Sequence, residues 1–195
     1  MYKRQDLKIV KSGPSERRKF LDIELSQMER LYLYQLTNYN KILVQRNNLL
    51  KQIRFQNNLI ETLEAWDIQL VKYGSEVIKY REKFIKHLGE VCQKIHNKLT
   101  GGKEKILLEY DRDVGYDSYL TELAKKRQKD LKYSTTTVGP HRDDISFIVN
   151  GIDIRKYGSQ GQQRTAALSL KLAQIQLMRE VMKDCLLYTS PSPRD

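Results

Sequence analysis

Cysteine, histidine and tryptophan are scarce in this 195-residue chain, which holds two cysteines, three histidines and one tryptophan. Cys92 and Cys185 lie far apart, with no spacing suited to zinc or a disulfide framework, so no metal site is expected and a reducing compartment fits. Cys92 reads as a small buried apolar residue. Long hydrophobic runs are missing as well. The apolar stretches fall far short of the roughly 20 residues that cross a bilayer, and no charged start leads into an apolar signal core. A cytoplasmic protein without membrane contact is the expectation. Acidic residues are outnumbered: 24 Asp and Glu against 35 Lys and Arg leave a formal charge of +11. Such a surplus suits a polyanionic partner, because lysines and arginines near phosphates release counterions. Long solvated helices carry the same excess, and the basic residues here are dispersed, so charge alone leaves both readings open.

Proline is limited to four residues, two of them in the tail Cys185-Leu-Leu-Tyr-Thr-Ser-Pro-Ser-Pro-Arg-Asp195, where the helix-forming composition stops abruptly. Back-translated, residues 1–5 and 185–189 read as the two strands of one DNA sequence, similar to translated sequencing-library adapter. Residues 1–5 and 185–195 are therefore expected to be artefact and are set aside.

What remains is dominated by helical periodicity. Asp6-Leu-Lys-Ile-Val-Lys11 reads as a short strand or loop, and Pro14 and Ser15 supply helix-start chemistry. From Leu21 through Leu25, Met28, Tyr32, Leu36, Tyr39, Leu43, Leu50 and Ile53 the apolar spacing is mostly three and four, with Arg46 in an expected apolar slot. The polar residues Arg54 to Asn58 interrupt this stripe. A second runs from Leu63 through Trp66, Leu70, Val77, Phe84, Leu88, Val91 and Ile95 to Leu99, with Gly74 and Arg81 on its seam, until Thr100-Gly-Gly102 ends it. Two helices packed as an irregular antiparallel hairpin are predicted.

Beyond Gly102 the pattern becomes mixed. Lys105 to Tyr110 predicts a strand, and Asp117 or Ser118 a cap for a short helix carrying Leu120, Leu123, Ala124 and Leu131. Ile145 to Val149, Asn150-Gly151 and Ile152 to Ile154 form a hairpin signal, because Asn-Gly supplies the positive φ angles of a type I′ turn. Thr165 to Met182 predicts a mostly buried helix despite the strand-like alternation of Leu168 to Leu172. The expected class is α+β: a long antiparallel helical hairpin over residues 22–103, between residues 6–21 and a mixed segment at 104–184, which the resemblance given below implies are an arm and two segments of a head.

Chemistry concentrates in Tyr157-Gly-Ser-Gln-Gly-Gln-Gln-Arg-Thr165. Gly158 and Gly161 allow close backbone approach, while Ser159, Gln160 and the free amides of a helix start can donate to an anion. The plain alternative is an N-cap with no ligand. His141, Arg142, Asp143 and Asp144 form a second polar cluster, suited to phosphate contact or to ordering a loop through local hydrogen bonds and ion pairs. Arg17, Arg18 and Lys19 are candidates for DNA phosphate contact, or solvated helix-start residues. His87 and His96, nine positions apart, are too distant to ligate together from one helix face and read as surface or packing residues.

Ser159-Gln-Gly-Gln-Gln-Arg-Thr165, following Gly139-Pro-His-Arg-Asp-Asp144 and Asn150-Gly151, resembles the signature loop of ABC-type ATPases in the form found in RecF proteins. Asp6 to Lys11, Arg17 to Asp22, Gln45-Arg-Asn47 and Leu49 to Lys51 are similar to the RecF segment leading into the arm, which extends the likeness over residues 6–184. The resemblance implies part of an ABC-type α/β ATPase head. It also implies ATP with Mg2+ held between two protomers, and Ser159, Gln160, Gly161 and Gln162 closing over the γ-phosphate of the partner's ATP. Further implied are a homodimer formed on ATP binding, double-stranded and gapped DNA as partners, and other recombination mediators. The chain contains no Gly-x-x-x-x-Gly-Lys-Ser/Thr loop, and Cys185 onward stands where the acidic Walker B strand is expected, so a truncated piece unable to hydrolyse ATP alone is expected. The competing function is a non-enzymatic helical-hairpin interaction module. Walker sequences in the flanking gene would separate the two.

Overall fold

The structure, a computed structural model, describes residues 8–189 and the side chains of residues 9–180 except 57. The first segment set aside as artefact, residues 1–5, lies outside the described residues. Contacts divide the chain into two compact units: Met1–Ser12, Ile85–Glu109 and Ser146–Asp195 in one, Gly13–Phe84 and Tyr110–Ile145 in the other. Each unit takes residues from both sides of the boundary drawn at residue 103.

In the Gly13–Phe84 unit, Pro14 opens α2 (Pro14–Met28), where its missing N–H costs nothing, and α3 (Arg30–Ile53) follows. The single stripe predicted from Leu21 to Ile53 is therefore two helices. Glu29 is extended, with φ −133° and ψ 104°, and breaks the run without glycine or proline. A 3-10 turn (Asn57–Thr62) leads into α4 (Leu63–Leu99), which matches the predicted second helix at both ends. The antiparallel hairpin is evident from its side-chain pairs: Tyr32 meets Tyr80 edge-on, Gly74 faces Tyr39, and Arg46 bonds Asp67. Leu49, Leu50, Ile53 and Leu63 form a buried cluster at the tip, with Leu59, Trp66 and Leu131 packed on it. Leu131 belongs to α5 (Tyr119–Tyr133), which packs on α3.

The other unit contains α1 (Lys8–Lys11), a helical turn where a strand or loop was expected; it packs against α6 (Ile154–Tyr157) and α7 (Gln160–Thr189). Val10, fully buried, contributes its apolar side chain to the core, so tertiary packing overrides its β-branched preference. The sheet runs in the order β1 (Ile106–Asp111), β2 (Asp144–Val149), β3 (Ile152–Asp153), with Ile148 opposite Asp153 and Val149 opposite Ile152 in antiparallel register. Asn150 and Gly151 adopt φ 49° and 82°, as a type I′ turn requires. Ile154, predicted in the second strand, instead starts α6, because Asp153 Oδ1 caps that helix by accepting from the Arg155 amide at 2.9 Å. The α7 helix is one-sided and not mostly buried: Ala166, Ala167, Leu170, Ala173 and Leu177 face the core, while Leu172 and Ile175 are exposed. Cys92 is buried here, and burial pushes its thiol up to about 12, so it acts as a small apolar residue. No described helix is long and apolar enough to cross a membrane, and the described residues hold no metal-binding cluster of His, Cys, Asp and Glu.

Candidate functional site

The entry to α7 is built by a reciprocal cap. Ser159 Oγ accepts from the Gln162 amide at 3.2 Å, and Gln162 Oε1 accepts from the Ser159 amide at 3.1 Å. This is a capping box with glutamine in the third position, so the plain N-cap reading of Ser159 is correct as far as it goes. Two donors remain. The amides of Gln160 and Gly161 make no hydrogen bond among the described residues, and the bond to Gln162 uses a lone pair of Ser159 and leaves its O–H uncommitted. Ser159, Gln160 and Gly161 are all exposed. The positive end of the helix dipole adds to these donors, so the loop presents an anion-accepting surface.

The surroundings hold that surface rigid. Gln163 is buried and donates through Nε2 to the Ile154 carbonyl at 2.7 Å, tying the first turn of α7 to α6. A Cβ on Gly158 would meet the Ile154 carbonyl oxygen at 2.7 Å, so this close approach requires glycine. Arg155 pairs with Asp153 at 2.8 Å and donates to Ser146 Oγ at 2.7 Å. Further along α7, Ser169 donates to the Thr165 carbonyl at 2.8 Å and lies 2.9 Å from His96 Nδ1. His96 is fully buried, and burial lowers its pKa despite Glu104 at 3.2 Å. Both histidine readings are met: His96 packs, and the His87 side chain is on the surface.

The Gly139–Asp144 cluster, in the other unit, orders a loop. His141 Nε2 donates to the Thr136 carbonyl at 3.1 Å, which fixes the tautomer and lets Nδ1 accept from the Tyr39 hydroxyl at 2.6 Å. Both ring nitrogens are committed, and burial lowers the His141 pKa. The buried Asp143 carboxylate accepts from Arg81 Nη1 at 3.2 Å, the Asp113 amide at 2.9 Å and the Tyr110 hydroxyl. Burial nevertheless raises its pKa above the usual carboxylate value. Arg142 is exposed, the one member of the four left facing solvent.

Arg17, the first of the three candidates for DNA phosphate contact, is buried. Its guanidinium pairs with both carboxylate oxygens of Asp144, at 2.5 and 2.8 Å, and its side chain is 5% exposed, so it braces α2 against the loop. Arg18 donates to the Asp143 carbonyl at 2.7 Å but is half-buried, and Lys19 is exposed, so these two remain open to an anion. Arg46 and Arg81 stand in apolar slots of the two stripes, where the sequence does not show their role. Arg81 is buried and donates to the Pro140 carbonyl at 2.6 Å and to Asp22 at 2.8 Å, so it joins α2 and the loop to α4. A charged residue in an apolar slot was the available signal.

No protein-family model matches the chain. Among curated proteins it is similar to the DNA replication and repair protein RecF of Lachnoclostridium phytofermentans, 54% identical over 180 residues, which cover 92% of this chain and 50% of that protein. The RecF of Agathobacter rectalis is 54% identical over 176 residues, covering 90% of this chain and 49% of that protein. Among solved structures, that of the recombination mediator protein RecF-ATP in the RecFOR pathway superposes with a TM-score of 0.89 at 36% identity, covering 93% of this chain and 51% of that one. The chain spans about half the length of the curated relatives it matches.

Proposed function

We propose, from the premise that this chain belongs to the RecF family, that its residues 158–165 are the ATP-sensing signature loop of a DNA-binding ABC-type ATPase of DNA repair and replication. Ser159, Gln160, Gly161 and Gln162 close over the γ-phosphate of ATP held by a second protomer. The observation that carries this reading is the pair of uncommitted amides at Gln160 and Gly161, presented beside the Ser159 hydroxyl on a helix entry that its own capping box and Gln163 already hold in place. Such a surface gains its bonds only when an anion arrives from outside. ATP binding by one protomer then favours the dimer, and loss of the γ-phosphate releases it.

The rest of the reading follows from that role. ATP and Mg2+ are held by Walker A and Walker B residues, which are not among the residues of this chain, so hydrolysis requires the full-length protein. Duplex and gapped DNA are engaged mainly through phosphate by dispersed basic residues, with other recombination mediators as further partners, in the cytoplasm. Residues 22–103 form the arm, and residues 6–21 and 104–184 belong to the head.

Ser159→Arg in a full-length RecF protein tests the loop's role. The variant should bind ATP as a monomer with nearly unchanged affinity and fail to dimerise with ATP, read by nucleotide titration and by sedimentation with and without ATP. Normal ATP-dependent dimerisation, or an equal loss of monomer binding, would return Ser159 to a helix cap alone.

A further inference from the structure

Between α2 and α3, within the Gly13–Phe84 unit and remote in sequence from the signature loop, lies an open cleft of about 470 Å3, a size typical of small-ligand pockets (roughly 300–1,000 Å3). Ser15, Arg18, Lys19 and Asn40 contribute polar groups to its lining, and Ile23 and Leu36 contribute apolar surface. The floor includes Arg81 and Asp22, which are bonded to each other, and Tyr39 and His141, which are also bonded to each other. Three cations thus face one carboxylate, and that carboxylate is already matched by Arg81.

The polar groups of the wall have capacity to spare. The side chains of Ser15, Lys19 and Asn40 make no hydrogen bond or ion pair among the described residues, and Arg18 commits Nη1 alone, to the Asp143 carbonyl. That bond holds the guanidinium in position while leaving its other N–H groups to donate. We propose that the cleft is a phosphate site, in which Arg18 and Lys19, with Ser15 and Asn40, grip a single phosphate group and Ile23 and Leu36 receive the apolar part of the molecule that carries it. Burial and the nearby charge of Arg81 both lower the Arg18 pKa, and an anion between these cations relieves that cost. The phosphate comes either from a nucleic-acid strand or from a free mononucleotide. The site neither uses nor requires the signature loop.

Amide NMR of the chain, titrated separately with dTMP, thymidine and a short oligothymidylate without terminal phosphate, tests the assignment. Saturable shifts at Ser15, Arg18, Lys19 and Asn40 are expected with at least one phosphate-bearing probe and not with thymidine. Shifts with the oligonucleotide alone identify a strand as the source, and shifts with dTMP alone identify a free monoester. Lys19→Glu, at an exposed position, and Asn40→Asp should each weaken binding at least tenfold, whereas Lys129→Glu, which changes the same charge outside the cleft, should not. Absence of saturable shifts with either phosphate-bearing probe, equal shifts with thymidine, or equal weakening by Lys129→Glu would overturn the proposal.

Discussion

Gly139 carries the most restrictive geometry among the described residues. Its φ of 134° is strained for any other residue, and a Cβ there would collide with the Tyr119 hydroxyl and lie 2.7 Å from that of Tyr39. The backbone conformation should cost an alanine about 1–3 kcal/mol, and overpacking against two buried tyrosines a similar amount. Gly139→Ala should therefore lower the denaturation midpoint sharply, whereas Gly13→Ala, where a Cβ meets nothing within 4 Å, should leave it nearly unchanged. Equal midpoints for the two variants would show that the 139–144 loop yields easily. His141 is sensitive in a different way. Burial lowers its pKa in the folded chain, so the unfolded chain takes up the proton more readily. Stability is complete above the ordinary histidine value of about 6.5 and is lost as pH falls through the folded value. The fall in melting temperature between pH 7 and 5 should be shallower in His141→Gln than in the parent. A steeper fall in the variant would contradict a neutral His141 bonded to Tyr39.

Among the elements, α3 and α5 are held to α4 by a buried charge network. Arg46 donates to Asp67 at 2.6 Å, to Asp130 at 2.7 Å and to Thr136 at 2.8 Å, and Arg127 bonds the second oxygen of Asp67 at 2.9 Å. Removing Arg46 leaves two buried carboxylates short of a partner, so Arg46→Met should cost about 3–5 kcal/mol by denaturant titration. A single-variant cost near zero would mean that water screens the network. The sequence announced this site only by an arginine in an apolar slot, because its partners lie 21 to 90 positions away. Signals confined to neighbouring residues were legible: the stripe ending at Thr100-Gly-Gly102 marks α4, and Asn150-Gly151 marks its turn. The break at Glu29 has no glycine or proline to announce it, and α1 is helical because Val10 packs into the core. The Ser159–Thr165 motif is legible in the sequence, but the choice between cap and ligand site is not, since the same Ser159 hydroxyl serves the cap and keeps a proton to donate.

For the whole molecule, the role proposed for the braced loop needs two protomers. The amides of Gln160 and Gly161 have no hydrogen-bond partner among the described residues and lie exposed, which is what the proposed closure over a second protomer's nucleotide requires. Mixing two defective full-length RecF proteins tests this most directly. One carries Ser159→Arg with an intact Walker A loop, and the other an intact signature loop with its Walker A lysine replaced. In a mixed dimer, one of the two composite sites has both parts intact. DNA-stimulated ATP hydrolysis should therefore return on mixing, although each protein alone is inactive. Hydrolysis that stays at the background of the separate variants, under conditions where mixed dimers are shown to form, would place the loop's action within its own protomer and contradict the account.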